Sequence, residues 1–290
     1  MIASSLDALQ QDSISIVCCS DEQYVPLMAT MLTSLVKNHL SPEVLDIYVI
    51  NDGILEATKQ SLASLFPPQF IRIFWLDFDP KEVTELLGIP SRYSQLSCHF
   101  YRLLMSKLLP ETVSQVIYLD ADLIVLGNIA DLWKTDLQGK IVGAVQDFLE
   151  TCGNAISNCQ ELGISPTAKY FNSGVLLIDL EKWRKQDISK RAIVCRLENE
   201  EAVRAGKHYS YDQFGLNVVL NDQWEELDPR WNYSPGPGKL NADPWIVHYY
   251  GDVKPWSMKC LEEFRQKFLY YLDQTVYKNY FQSYFEKVAP

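Results

Sequence analysis

The chain has 290 residues, of which 47% are hydrophobic and 22% charged. That is ordinary globular usage, long enough for one large α/β domain or two small ones, and it argues against disorder over most of the length. A formal net charge of −11 gives the wrong field for non-specific nucleic-acid binding and for polybasic attachment to anionic lipid.

In chain order, short apolar runs alternate with helical patterns. Ser15–Cys19 reads as a buried strand, Val25–Lys37 as a helix with Leu27, Met31 and Leu35 on one face, and Leu45–Ile50 as a second strand ended by the turn signal Asn51-Asp52-Gly53. Leu55–Leu65 reads as a helix, Phe70–Leu76 as a third strand, Phe100–Leu109 as a helix stopped by Pro110, and Val116–Leu119 as a fourth strand entering Asp120-Ala121-Asp122. Beyond it, Ile141–Val145 and Val175–Ile178 read as strands, Ile188–Arg204 and Tyr211–Leu220 as helices, and Trp245–His248 as a short strand. Ser234 to Gly238 reads as a rigid loop, 251–256 as a second loop, and Cys260–Phe285 as an aromatic-rich helical tail. This alternation predicts an α/β chain with parallel βαβ units, a domain over residues 1–258 and a C-terminal extension over 259–290. Ligands of such sheets bind beyond the carboxyl ends of the strands, where the acidic segments 20–23, 51–53 and 120–122 fall.

Seven cysteines, no CxxC pair and a polar N-terminus without a signal-peptide pattern predict a cytoplasmic protein. Cys18 and Cys19 read as small core residues, while Cys152 and Cys159 are candidates for pairing or metal binding. No run is long enough to cross a bilayer. The triplet Asn232-Tyr233-Ser234 matches a glycosylation acceptor pattern and carries little meaning in a cytoplasmic chain.

Two segments carry chemistry. Asp120 and Asp122 stand one residue apart after an apolar strand, and in a continuing strand they would share a face. Their mutual repulsion is relieved by a divalent cation, Mg²⁺ or Mn²⁺, shared with substrate phosphates; the bland reading is an acidic turn. His248 ends the run Trp245-Ile-Val-His and is followed by Gly251 and Lys254. The imidazole could complete the metal shell and tilt it toward Mn²⁺, Gly251 allows close backbone approach, and Lys254 can meet a phosphate as a point charge. Alone, such a histidine is more often a satisfied structural group.

With these two motifs stand Cys19–Tyr24, Tyr101-Arg102-Leu103, YLDADLIVLGNI, YFNSGVLLIDLEKW, YDQFGLN and HYYGDVKPW. In this order and spacing, from about Ile14 to Trp256, the sequence resembles the family 8 glycosyltransferases, which include bacterial lipopolysaccharide galactosyltransferases and glycogenin. The resemblance implies a GT-A fold (a Rossmann-like, mixed, mostly parallel sheet flanked by helices), a UDP-glucose or UDP-galactose donor, Mn²⁺, and transfer with retention of configuration. It implies Asp120, Asp122 and His248 as metal ligands. Cys19, Asp21 and Gln23 match the uridine-binding loop, Gln23 standing where the family has asparagine, with Asp52 and Ala121 counted beside them. Gly251 and Lys254 match diphosphate-binding residues, and Arg102 a donor-site arginine. Asn172, Asp212 and Gln213 match positions that hold the transferred sugar, Gln213 near the anomeric carbon. Bland readings stand beside these: a turn for Asn172, a helix N-cap for Asp212, a surface ion pair for Arg102.

The retaining route expected is front-face, because the position best suited to a nucleophile is the amide Gln213, with Asp212 as the fallback. Alternatives are a binding-only relative, a phosphohydrolase using Asp120, and a sugar-nucleotide pyrophosphorylase. The last two lack, respectively, a nearby Ser or Thr and a glycine-rich basic first loop. The acceptor, whether glycan, lipid-linked or protein, is not specified, and segments 79–95 and 147–167 are expected to select it. The aromatic tail is read mainly as core or dimer packing, with a peripheral membrane contact as the alternative.

Overall fold

The computed structural model describes residues 13–91, 98–205, 211–237, 243–282 and 284. The N-terminal dodecapeptide, residues 92–95 of the acceptor segment, residue 238 of the loop and residues 283 and 285 of the tail lie outside the described residues.

The elements run β1 (Ser13–Asp21), α1 (Val25–Asn38), β2 (Val44–Asp52), α2 (Glu56–Ala63), β3 (Ile71–Asp77), α3 (Val83–Leu87), a 3-10 segment (Cys98–Leu104) leading into α4 (Met105–Leu108), β4 (Gln115–Leu119), β5 (Leu123–Val125) and α5 (Ile129–Trp133). There follow β6 (Val142–Thr151), α6 (Cys152–Ala155), β7 (Lys169–Asp179), α7 (Leu180–Lys185), α8 (Ile188–Glu198), α9 (Glu200–Ala205), α10 (Tyr211–Val219), β8 (Trp224–Glu226), a 3-10 turn (Pro229–Asn232), β9 (Ile246–His248) and α11 (Glu262–Leu272). The chain is mixed α/β, as expected. It forms two compact units, one of Met1–Phe74, Leu119–Thr135 and Pro229–Pro290, the other of Trp75–Tyr118 and Asp136–Asp228.

The first unit carries the strand run β3-β2-β1. β1 and β2 pair in parallel from Ser13 opposite Val44 to Asp21 opposite Asp52. Their interiors are buried on both faces and, apart from the register partners Ser15 and Asp46, apolar, which is how strands covered by helices read. α1 follows because Pro26 sits in its first turn, where no N–H is needed, and Val25–Leu35 are all buried. The strand β2 runs on through Asn51 and Asp52; the turn begins at Gly53, whose φ of 79° favours glycine. β5 and β9 form a separate antiparallel pair, Leu123 opposite His248 and Val125 opposite Ile246. Of the tail, Glu262–Leu272 forms α11. Phe264, Phe268, Tyr271 and Phe281 are buried with Leu27, Ile124 and Tyr249, so this part of the tail is core.

The second unit carries the run β4-β7-β6-β8. β6 pairs antiparallel with β7 and parallel with β8. The register of β6 and β7 slips where Ala144 faces Leu176 but Val145 faces Asn172, so residues 173–175 bulge out of the ladder. The segment read as one helix from Phe100 to Leu109 is 3-10 as far as Leu104 and α-helical over Met105–Leu108. The one read from Ile188 to Arg204 breaks at Asn199, whose side-chain amide donates to Cys195 O at 2.8 Å. Cys152 and Cys159 are free, buried thiols in an apolar cluster with Ile156, Ile164, Tyr170 and Phe214, correcting both the pairing and the metal expectation. Among the described residues no helix is long and apolar enough to cross a membrane.

Candidate active site

Asp120, Ala121 and Asp122 do not continue a strand. They form a bend between β4 and β5, so the shared face expected from strand periodicity is not what unites the carboxylates. The β5–β9 pairing does so instead. With Leu123 opposite His248, Tyr249 N donates to Asp122 O at 2.9 Å, and the imidazole lies beside both aspartates. His248 Nε2 is 3.3 Å from Asp122 Oδ1 and 3.5 Å from Asp120 Oδ2. One ligand atom from each of the three lies within 4.8 Å of the others.

Behind the ring, His248 Nδ1 is 2.9 Å from Asn232 Oδ1. An amide oxygen can only accept, so Nδ1 carries a proton and Nε2 faces the carboxylates, the orientation a metal-ligating histidine needs. Lys254 forms an ion pair with Asp122. Burial alone would raise the Asp122 pKa, but the Lys254 charge and then His248 hold it well below the usual carboxylate range. Burial alone would lower the His248 pKa, but hydrogen bonds to Asp120 and Asp122 and their charges push it up to about 9. Burial opposes the charge on Lys254 too, and is outweighed by Asp122. Two carboxylates and one oriented imidazole make an O,O,N donor set that could hold a divalent cation.

The remaining nucleotide candidates of this unit end β1 and β2. Asp21 and Asp52 are register partners. Burial and the Asp21 charge raise the pKa of Asp52. Asp21 Oδ1 accepts from Tyr24 N at 2.8 Å, which shapes the loop. Glu22 accepts from Leu55 N at 2.9 Å and from the Thr58 hydroxyl at 2.7 Å, tying that loop to the start of α2. Cys19 is half-buried and Gln23 exposed. Tyr24, part of the Cys19–Tyr24 motif but given no role of its own, lies in the field of Lys254, Asp122, Asp21 and Asp120; burial first, then the three carboxylates, raise its pKa against the lowering effect of Lys254. Gly251 has a φ of 57° and open space where a Cβ would be, so its glycine serves the left-handed turn between His248 and Lys254.

The second unit gathers Arg102, Asn172, Asp212 and Gln213. Arg102, on the 3-10 segment, places Nε 3.4 Å from Asp212 Oδ2, donates to Ser173 O at 3.3 Å and lies 4.8 Å over the Tyr118 ring. Asp212 is the second residue of α10, not its cap, and is buried. Gln213 Oε1 accepts from Ser173 N at 3.0 Å. Asn172 Oδ1 accepts from Gly174 N at 3.0 Å, so the turn role expected of it is real. Its Nδ2 donates to Asp147 Oδ2 at 2.9 Å, and Gln213 Nε2 reaches the same oxygen at 3.3 Å. Asp147, which the sequence reading held only as the start of the segment expected to select the acceptor, and Ser173 thus join the candidate residues. Asn217 clamps the strand beside them, accepting from Phe171 N at 2.8 Å and donating to Phe171 O at 2.9 Å.

The chain matches Glycosyl transferase family 8 over residues 15–260. It is 30% identical to General stress protein A of Bacillus subtilis (strain 168), covering 92% of this chain and 96% of that protein. It is 26% identical to the Lipopolysaccharide 1,2-glucosyltransferase of Escherichia coli (strain K12), covering 81% and 70%. Among solved structures it resembles the galactosyltransferase LgtC in complex with donor and acceptor sugar analogues, with a TM-score of 0.71, 24% identity and coverage of 93% and 100%. It also resembles the apo bifunctional glycosyltransferase WbbM, with a TM-score of 0.75, 18% identity and coverage of 94% and 52%. These likenesses carry the fold, which is of GT-A type. With the family matched over most of its length, the chain belongs to glycosyl transferase family 8 and is a glycosyltransferase.

Proposed function

We propose that the protein transfers a hexose, glucose or galactose, from a UDP-sugar to a glycan, lipid-linked or protein acceptor, with Mn²⁺ and with retention. The observation that carries this reading is the Asp120, Asp122 and His248 cluster beside Lys254. Asp120, Asp122 and His248 would hold the ion, which when bound neutralises charge on the departing diphosphate. Lys254 leaves its ion pair with Asp122 to meet a phosphate oxygen, a role suited to an ammonium on a flexible stem. Cys19, Asp21, Gln23, Asp52 and Ala121 contact the nucleotide. Arg102, Asn172, Asp212 and Gln213 orient the sugar.

The retaining step is front-face. The anomeric C–O bond to UDP breaks, the acceptor oxygen bonds to the same face, and the acceptor's proton passes to the leaving diphosphate. Two observations favour this route over a covalent intermediate. Gln213 is an amide with its oxygen engaged by Ser173 N, and the Asp212 carboxylate lies against the Arg102 guanidinium. The test is incubation with UDP-glucose or UDP-galactose and Mn²⁺, with the released or transferred sugar read by proton NMR. An α-anomer appearing first supports retention and a β-anomer contradicts it. An Asp212→Asn variant that keeps most of its transfer rate removes Asp212 as nucleophile; loss of 10⁴-fold or more would reinstate it.

A further inference from the structure

We propose that the first unit carries a second carbohydrate-binding site, for a neutral oligosaccharide, at the end of the β5–β9 pair remote from His248. A cavity of about 710 Å³ opens there, lined by Trp245, Tyr270, Tyr271, Asp131, Asp243 and Gln266 among others. That volume is within the range of small-molecule sites. Leu123 is the register partner of His248, while the cavity begins at Leu126, just past the far end of β5, so about 10 Å of extended chain separates the two places.

The lining is built. Leu126 N and Gly127 N both donate to Trp245 O, at 2.7 and 2.9 Å. A Cβ at Gly127 would fall 2.8 Å from that of Trp245, so the indole can seat only against glycine. The Arg230 guanidinium lies 3.6 Å over the Trp245 ring. The Tyr271 hydroxyl accepts from the Asn38 amide at 2.8 Å. On this fixed floor Tyr270 is 60% exposed, its ring set edge-to-face with Tyr271 at 5.1 Å.

The chemistry selects the ligand class. An exposed tyrosine offers a flat apolar surface to the C–H face of a pyranose. The exposed carboxylates of Asp131 and Asp243 accept from vicinal hydroxyls, and the Gln266 side chain adds further polar capacity. Among the described residues here, the carboxylates of Asp131, Asp243 and Glu263 outnumber the cations Lys267, which pairs with Glu263 at 2.8 Å, and Arg230, stacked on Trp245, so the net field is negative and disfavours nucleotides, phosphates and anionic lipid. A neutral, polyhydroxylated ligand remains. The proposal uses only membership of a glycosyltransferase family, which works on glycans, and not the donor-site roles assigned above.

The test is ligand-observed NMR on the full chain with maltotetraose, cellotetraose and a β-1,4-linked galactotetraose. Wild type binds at least one of them. Tyr270→Ala weakens that binding about tenfold or more and Tyr270→Phe restores it. Asp122→Ala leaves it unchanged, while UDP binding with Mn²⁺ is unchanged in Tyr270→Ala. Three results would overturn the proposal: no binding of any of the three, binding indifferent to Tyr270→Ala, or a wild-type dimer in sedimentation that Tyr270→Ala makes monomeric, which would give the face to a second copy of the chain.

Discussion

Leu123 and His248 are opposite one another in the antiparallel β5–β9 pair, and that register sets the His248 imidazole 3.3 Å from the carboxylate of Asp122. Two stretches 126 residues apart are thereby locked into one cluster by backbone hydrogen bonds rather than by side chains alone. The geometry of the cluster follows from strand pairing.

Asn232 holds the back of that ring. Asn232→Leu keeps the volume but leaves buried Nδ1 without its acceptor, so stability is expected to fall by about 1–3 kcal/mol. Mn²⁺ affinity should fall about 10–100-fold, as for loss of other groups that orient a ligand. Urea unfolding and Mn²⁺ titration by electron paramagnetic resonance read the two effects. An unchanged Mn²⁺ affinity would mean that Asn232 orients nothing.

Asp147 holds the amides of Asn172 and Gln213 through a single oxygen. Asp147→Ala leaves the amide nitrogens of both without this acceptor while their oxygens stay bonded to Gly174 N and Ser173 N, and a misplacement near 1 Å lowers transfer about 100-fold. UDP affinity should stay within about twofold, because the residues proposed to contact the nucleotide belong to the other unit. Steady-state kinetics beside calorimetry separate these, and equal losses in both would point to unfolding.

Gly215 marks the closest approach of α10 to α8. A Cβ there would sit 2.0 Å from Ala192 O, so Gly215→Ala must push two helices apart. The expected cost is about 3 kcal/mol, measured as a lower urea midpoint with unchanged slope. A neutral effect would show that the helices yield freely.

Phe268, fully buried between Tyr249 and Phe281, tests the aromatic tail as core. Phe268→Ala is expected to destabilise by about 3–5 kcal/mol. A change in membrane binding with stability intact would instead place this face on a lipid surface.

Much of this was legible in the sequence because periodicity and motif order are local signals. β1, β2, β9, α1 and α10 were found within a few residues. The carboxylate pair and the histidine that closes on it were both identified. What escaped depends on contacts far along the chain. The bend at Asp120–Asp122 is imposed by the departure of β5 toward β9, which no run of seven residues encodes. Asn232 reads only as part of a glycosylation triplet until His248 is brought against it. Asp147 lies mid-strand in β6 with no motif around it, and its role appears only where the bulge at 173–175 sets Asn172 beside it. The 3-10 stretch at Cys98–Leu104 carries apolar residues that mimic helical spacing.

The most direct test of the central claim is isothermal calorimetry of UDP with the wild-type protein and with Asp122→Ala, each with and without Mn²⁺. The account predicts binding to wild type that requires Mn²⁺ and is lost in Asp122→Ala. UDP binding that ignores both the ion and the substitution, or no binding to wild type at all, would contradict it.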